Sequence, residues 1–335
     1  MQIEENIQLA ALTTFKIGGP ARFFAHIKNV EELKEALVLA KEKNLETFIL
    51  GGGSNVLFDD EGFDGLVIKV EIMGVESQKN IFIAGAGESW DALALRAVEK
   101  NLWGIENLSG IPGTVGGAVV QNIGAYGQAL SQTLKWVEVY DVAEGKEKRL
   151  TAQECESGYR NSVFKHKPEH YIILRIALKL SSTSVPNISY KDLAARFAGK
   201  TPSLQELREA ILDIRAKKFP DLRHEGTAGS FFKNPILPEA EAGALQTRYP
   251  ELPLFPLPES TDIKVPLGWF LDYRHGVLDM RAVNVGGARM YEKQFLVLVA
   301  ERNTSSKDVK KLAALVQQQV HDTLNIEIEP EVTIV

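Results

Sequence analysis

Apolar residues recur at helical spacing after Asn29. Leu33, Ala36, Leu37 and Ala40 fall on one face of residues 30–44, with Glu31 and Glu32 in the first turn. An Asn side chain can accept from first-turn N–H groups, and acidic residues suit the positive end of the helix dipole, so a helix starting at Val30 is predicted. Residues 47–50 form a short apolar run that ends in Gly51-Gly52-Gly53-Ser54-Asn55, and residues 66–70 and 81–84 are further runs of strand length. Ser89 precedes a second helical stripe made by Trp90, Leu93, Ala94 and Ala97. The first hundred residues thus alternate helix and strand, as stacked α/β layers do.

The period then changes. Residues 136–142 alternate, and in 171–180 Leu174, Ile176, Leu178 and Leu180 share one face while Arg175 and Lys179 take the other, a half-buried strand pattern. Ser203 and Glu206 have capping-box spacing ahead of a helix through Lys218, with Leu207, Ala210, Ile211 and Ile214 inward. Half of the 14 prolines lie between Pro235 and Pro266. Proline lacks an N–H and fixes φ, so an irregular surface segment is expected there, not a long helix or central strand. Residues 309–324 read as the last helix and 326–335 as a closing strand.

Composition narrows the function classes. A length of 335 residues suggests about two domains at roughly 150 residues each. The chain is 44% hydrophobic and 24% charged, the balance of a soluble globular protein. With 38 Lys and Arg against 44 Asp and Glu, the net charge of −6 leaves no basic excess to neutralise a phosphate backbone, which argues against nucleic-acid binding. The one cysteine, Cys155, excludes an internal disulfide framework and a clustered thiolate metal site. The first residues lack the charged and apolar regions of a signal peptide, and no apolar run approaches the roughly 20 residues that cross a bilayer. A cytoplasmic protein without membrane insertion, bound metal or obligatory protein partner is expected.

Three segments concentrate glycine where a strand meets a turn, and each could bring backbone N–H groups close to an anion. Gly51-Gly-Gly-Ser-Asn55 lacks the Gly-Lys-Ser/Thr ending of a P-loop, so no Lys there reaches terminal phosphates. Gly85-Ala-Gly-Glu-Ser-Trp90 imitates a dinucleotide fingerprint, but Trp90 replaces the third glycine that close helix–strand packing requires. The densest is Ser109-Gly-Ile-Pro-Gly-Thr-Val-Gly-Gly117, followed by Gln121-Asn-Ile-Gly-Ala-Tyr126. It suits a pyrophosphate cradle with hydrogen bonds to a heterocycle, against the plainer reading of tight turns.

These segments resemble the UDP-N-acetylenolpyruvoylglucosamine reductase (MurB) family. The resemblance starts at Thr13-Thr-Phe-Lys-Ile-Gly-Gly19 and runs through Gly51–Phe58, Gly110-Ile-Pro-Gly113 and Gln121–Gly127. It continues in Gly158-Tyr-Arg-Asn-Ser162, Gly229-Ser-Phe-Phe-Lys-Asn-Pro235 and Glu329-Pro-Glu-Val332, in order over nearly the whole chain. It implies an α+β chain with an FAD-binding fold of the vanillyl-alcohol-oxidase (PCMH) type in two subdomains, residues 1–70 plus 326–335 and residues 71–218. A separate α+β substrate domain over 219–325 would follow. FAD would contact Gly51, Gly52, Gly53, Ser54 and Asn55, then Ser109, Gly110, Pro112, Gly113, Gly116 and Gly117. Gln121, Asn122, Gly124 and Tyr126 would lie near the flavin or its ribityl and phosphate groups. Neither Cys155 nor any of the six histidines lies in the glycine loops, so non-covalent FAD is expected.

The reaction implied by the resemblance is a step of peptidoglycan precursor synthesis, the reduction of UDP-N-acetylglucosamine enolpyruvate to UDP-N-acetylmuramate. Hydride passes from NADPH through the flavin to the vinyl carbon, and negative charge develops beside the carboxylate. Arg160 would hold that carboxylate, since a guanidinium offers two parallel N–H bonds. Glu331, in preference to Glu329, would sit near the same group, where a carboxyl makes sense only if it carries or shares a proton. Ser230 would give the proton to the carbanion, a downhill transfer once positioned; it lacks the Gly-x-Ser-x-Gly setting of a hydrolase nucleophile. Tyr190, Lys218 and Asn234 would hold the UDP pyrophosphate, and Tyr190 favours the longer family type, in which a tyrosine loop covers the substrate channel. Phe255 stands where the family pattern has a tyrosine hydroxyl. The competing reading is an FAD-dependent sugar or hydroxy-acid oxidase of the same superfamily.

Overall fold

The computed structural model describes residues 1–257 and 260–335, which divide into two compact units. The first comprises Met1–Gln8, Pro20–Ser54 and Gly62–Lys217; the second comprises Leu9–Gly19, Asn55–Glu61 and Lys218–Val335.

In the first unit, Ile3–Gln8, Pro20–Ile27, Phe63–Val70 and Thr47–Leu50 form one sheet in that order. Ile3–Gln8 is antiparallel to its neighbour, whereas the other three strands are mutually parallel. Parallel strands need a crossover, and helix Val30–Glu42 supplies it between Pro20–Ile27 and Thr47–Leu50. Asn29 Oδ1 accepts from Glu32 N at 2.9 Å, the cap that its spacing predicts. The parallel strands therefore all end at the same edge, with Leu50 opposite Lys69 and Ile27 opposite Val70. A five-stranded antiparallel sheet follows, ordered Lys146–Thr151, Leu134–Asp141, Tyr171–Lys179, Ile81–Gly85 and Val75–Gln78. Helix Trp90–Glu99 starts at Ser89, as its pattern indicates. Leu33, Ile68, Phe82, Trp90, Val137 and Ile176 join one buried core.

Two strands of the first sheet have no apolar run to announce them. Ile3–Gln8 is a polar edge, carrying Glu4 and Glu5, and Pro20 begins the second strand, a position where its missing N–H is tolerated. Their pairing comes from distant chain, not from local pattern.

In the second unit, Phe231, Phe232, Phe270, Val309, Leu312 and Val316 lie in a separate core. Its long helix spans Ser306–Leu324 and begins three residues before the apolar stripe, because Ser305 and Asp308 form a reciprocal capping box. The proline-rich stretch is more ordered than expected. No proline lies between Pro238 and Pro250, and Glu239–Arg248 is helical there. Ile236–Pro238, Asp262–Lys264 and Phe255–Pro256 form a small sheet. The closing strand shortens to Thr333–Ile334, parallel to Val56–Leu57; Pro330 cannot donate to a regular ladder. Among the described residues, no helix is long and apolar enough to cross a membrane.

Candidate functional site

In the first unit, the glycine segments at 51–54 and 109–117 meet backbone to backbone. A Cβ at Gly52 would fall 2.6 Å from Gly113 Cα, and a Cβ at Gly113, whose φ is +115°, would fall 2.6 Å from Ser54 Oγ. Ser54 Oγ donates to Pro112 O at 3.1 Å. Only glycine permits this approach, which explains the residue type at both positions. Gly51 would likewise press Thr114 Oγ1, at 2.7 Å. Gly87 of the intervening segment would put a Cβ 2.6 Å from Glu71 Cα, so that loop too is a close-packing device.

Gly110 is held from both sides. Its N–H donates to Asp91 Oδ1 at 2.6 Å, and its carbonyl accepts from Arg215 Nε at 3.0 Å. Asp91 is gripped in turn by Arg208, through Nη1 at 2.8 Å and Nη2 at 3.0 Å. Burial pushes the Asp91 carboxyl up, but Arg208, the Gly110 N–H and Arg215 together outweigh it and hold the group below its ordinary value. Burial also lowers the Arg215 pKa, opposed by its hydrogen bond to Tyr126. This clamp fixes a residue with φ +71° at the head of the densest glycine loop.

Two buried side-chain atoms nearby, Ser109 Oγ and Asn107 Oδ1, have no hydrogen-bond partner among the described residues. Such atoms are rare in native interiors, and a polar ligand or an ordered water satisfies them. Glycine-lined backbone contact, an orphaned buried hydroxyl and an adjacent lysine, Lys69, which donates to Gly51 O at 3.2 Å, are the donor set that an anionic dinucleotide such as FAD requires.

The expected flavin-side residues carry the Arg160 segment. Asn122 Nδ2 donates to Gly158 O at 2.7 Å, Arg160 Nη2 to Gly124 O at 3.0 Å, and Ser162 Oγ to Val120 O at 2.8 Å. Arg160 takes φ +51° and Asn122 φ +41°. Lys165 Nζ donates to Gln121 Oε1 at 2.9 Å. Tyr126 is buried, and its ring meets that of Tyr190 edge-on at 5.1 Å. The Tyr190 loop is tied to the same hairpin by Asn187, whose Nδ2 donates to Gly127 O at 2.9 Å and whose carbonyl accepts from Asn107 Nδ2 at 2.8 Å.

The second unit pairs the Ser230 segment with the Glu331 segment. Phe231 and Phe232, 0% and 1% exposed, anchor a segment that pairs with residues 329–331. Glu331 N donates to Phe231 O at 2.7 Å and Lys233 N to Glu329 O at 3.0 Å, so Ser230 and Glu331 stand one register step apart. Asn55 belongs to this unit and donates through Nδ2 to Glu331 O at 3.1 Å. The two glutamates differ in setting: Glu329 is exposed and ion-paired with Lys233 at 2.8 Å, whereas Glu331 is half-buried. Asn234 Oδ1 accepts from Leu267 N at 3.0 Å, and Lys218 opens the main segment of the unit. Phe255 is exposed, with the Lys264 ammonium 5.4 Å from its ring centre. Arg160 and Tyr190 belong to the first unit, Ser230 and Glu331 to the second.

Sequence reasoning missed Lys69, Asp91, Arg208 and Arg215. For Lys69 and Arg208 the signal was a charge on an apolar pattern. Lys69 interrupts the buried run Leu66–Ile68 and Val70, and Arg208 shares the inward face of its helix with Leu204, Leu207 and Ile211.

Comparison with known proteins agrees with this arrangement. Residues 21–151 match the FAD binding domain family, and residues 221–335 match the family described as UDP-N-acetylenolpyruvoylglucosamine reductase, C-terminal domain. The UDP-N-acetylenolpyruvoylglucosamine reductase of Haemophilus ducreyi is 36% identical over 332 residues, covering 98% of this chain and 94% of that one. The protein of the same name from Escherichia coli K12 is 36% identical, covering 98% and 95%. The crystal structure of the Thermus caldophilus UDP-N-acetylenolpyruvylglucosamine reductase (MurB) superposes with a TM-score of 0.71 at 25% identity, covering 100% of this chain and 99% of that one. With backbone-lined glycine loops in one unit and the paired 231–233 and 329–331 segments in the other, the chain belongs to the UDP-N-acetylenolpyruvoylglucosamine reductase family.

Proposed function

We propose that this FAD-dependent oxidoreductase reduces UDP-N-acetylenolpyruvoylglucosamine to UDP-N-acetylmuramate at the expense of NADPH, using Arg160, Ser230 and Glu331, in the cytoplasm. FAD, bound non-covalently, supplies a two-electron carrier between NADPH and the vinyl carbon. The glycine loops around Gly52 and Gly113 bind its pyrophosphate, and residues 219–325 bind the substrate. The remaining work falls to side chains.

Charge develops at the carbon next to the substrate carboxylate. Arg160 neutralises it through paired N–H donors, and its Gly124 bond and the Asn122–Gly158 bond hold that guanidinium's loop in place. Ser230 protonates the carbon. A carbon acid is far weaker than an alcohol, so the transfer runs downhill once the hydroxyl is in place. Glu331, one register step from Ser230, carries or relays the proton near the carboxylate. Lys218, Asn234 and Tyr190 bind the nucleotide diphosphate, Tyr190 from a loop over the substrate channel.

The observation that supports this reading is the antiparallel pairing of residues 231–233 with 329–331, which joins the Ser230 and Glu331 segments on a buried aromatic footing. The test is Ser230→Ala. Anaerobic NADPH should still bleach the yellow protein at the wild-type rate, while enolpyruvate reduction slows by roughly 10²–10⁴. Equal slowing of both half-reactions, or unchanged turnover, would remove Ser230 as the proton donor.

A further inference from the structure

The three parallel strands of the first unit end side by side, and beyond their carboxyl ends lies a cavity of about 580 Å³. Ligands of open sheets with parallel strands bind at such ends. Its lining includes Lys69, Glu71, Met73, Gly87 and Thr114. Gly87 and Thr114 bring two of the glycine segments to this space, and Thr114 Oγ1 is the atom that a Cβ on Gly51, in the third, would strike. It is also where the second glycine segment, unexplained as a dinucleotide fingerprint, finds a use.

Lys69 is the unusual group here. It occupies a strand whose residues 65–68 and 70 are buried, and its ammonium donates to the Gly51 carbonyl at 3.2 Å. Among the described residues no carboxylate stands within ion-pair distance of it, and the Glu71 carboxylate is engaged with His26 Nδ1 at 3.0 Å. Burial pushes the Lys69 pKa down, with the charge on Glu71 opposing. A half-buried cation held only by a carbonyl is poorly compensated, and an anion beside it removes that cost.

We infer that Lys69 binds the diphosphate of FAD, supplying the positive charge that the glycine loops themselves lack. The inference rests on the FAD reading above and adds a residue to it. The ammonium lies against the Gly51 carbonyl at the head of the first glycine loop, so Lys69 contributes a charge-assisted hydrogen bond where the loops contribute neutral N–H groups.

The test uses the full chain, stripped of flavin and titrated with FAD while flavin fluorescence is followed, as wild type, Lys69→Met and Lys69→Arg. Loss of one charged hydrogen bond should raise the FAD dissociation constant roughly 10- to 100-fold in Lys69→Met, with Lys69→Arg restoring most of the affinity. ADP, used as a competitor, should lose affinity in parallel. Raising salt from about 50 to about 500 mM should weaken FAD binding less in Lys69→Met than in wild type. A Lys69→Met constant within twofold of wild type overturns the inference, as does a Lys69→Arg chain as weak as Lys69→Met. A wild-type chain that binds no FAD would instead overturn the cofactor reading itself. The ligand-free melting curve reports whether each variant is folded.

Discussion

Removing Arg208 tests how the Gly110 loop is held. Arg208 is 5% exposed and makes both of its bonds to Asp91, whose other role is to accept the Gly110 N–H. At an effective dielectric near 20, opposite charges about 4 Å apart attract by about 4 kcal/mol. The Asp91 side chain is 38% exposed, so water recovers about half of that once the guanidinium is gone, leaving a loss of about 2 kcal/mol. For a cooperative block of about 200 residues this lowers Tm by about 4–8 °C. Arg208→Met preserves the aliphatic stem and isolates the charge. The pH dependence has a definite sign. Asp91 titrates lower in the folded chain than when unfolded, so its stabilising effect is complete above the ordinary carboxylate range and fades as pH falls through the folded value. The Tm difference between wild type and variant should be full at pH 7 and shrink below about pH 4. FAD affinity should fall several-fold as Gly110 loosens. Scanning calorimetry across pH decides the matter: a Tm change under about 1 °C at pH 7, or a difference that persists unchanged to about pH 3, refutes the clamp.

Other predictions follow from single positions. Gly52→Ala drives a methyl group to 2.6 Å from Gly113 Cα, so the loops must part, and FAD titration should show at least a tenfold loss of affinity, about 1.4 kcal/mol, with little change in the second unit. Arg160→Lys should cut steady-state enolpyruvate turnover by about 10² or more, because an ammonium cannot give paired parallel bonds; near-normal turnover would exclude Arg160 from the chemistry. Cys155 is buried, and burial with the nearby Glu154 charge pushes its thiol up to about 12. A thiol reagent at pH 8 should leave the folded chain unlabelled and react at once after denaturation.

What the sequence made legible and what it hid differ in the distance over which the physics acts. The caps at Asn29, Ser89 and Ser203 and the helices they open depend on neighbours three or four residues away, and all three caps form. The glycine loops were legible for a related reason: a residue without a side chain advertises close approach even when its partner is unknown. That partner, Gly113 for Gly52, is fixed only by the fold. The strands Ile3–Gln8 and Pro20–Ile27 were hidden because the first is a polar edge and the second breaks alternation with Phe24 and Ala25 both buried, so only their pairing with other strands defines them. Arg208 and Asp91 lie 117 residues apart, so neither could name the other. Yet Arg208 left a local trace, a charge where the periodicity asked for an apolar group. Lys69 left the same trace in a buried strand. Burying a cation is costly unless something compensates it. A basic residue on an inward-facing position is therefore evidence of a partner before that partner is known, and in this chain such residues converge on the loops expected to hold the cofactor.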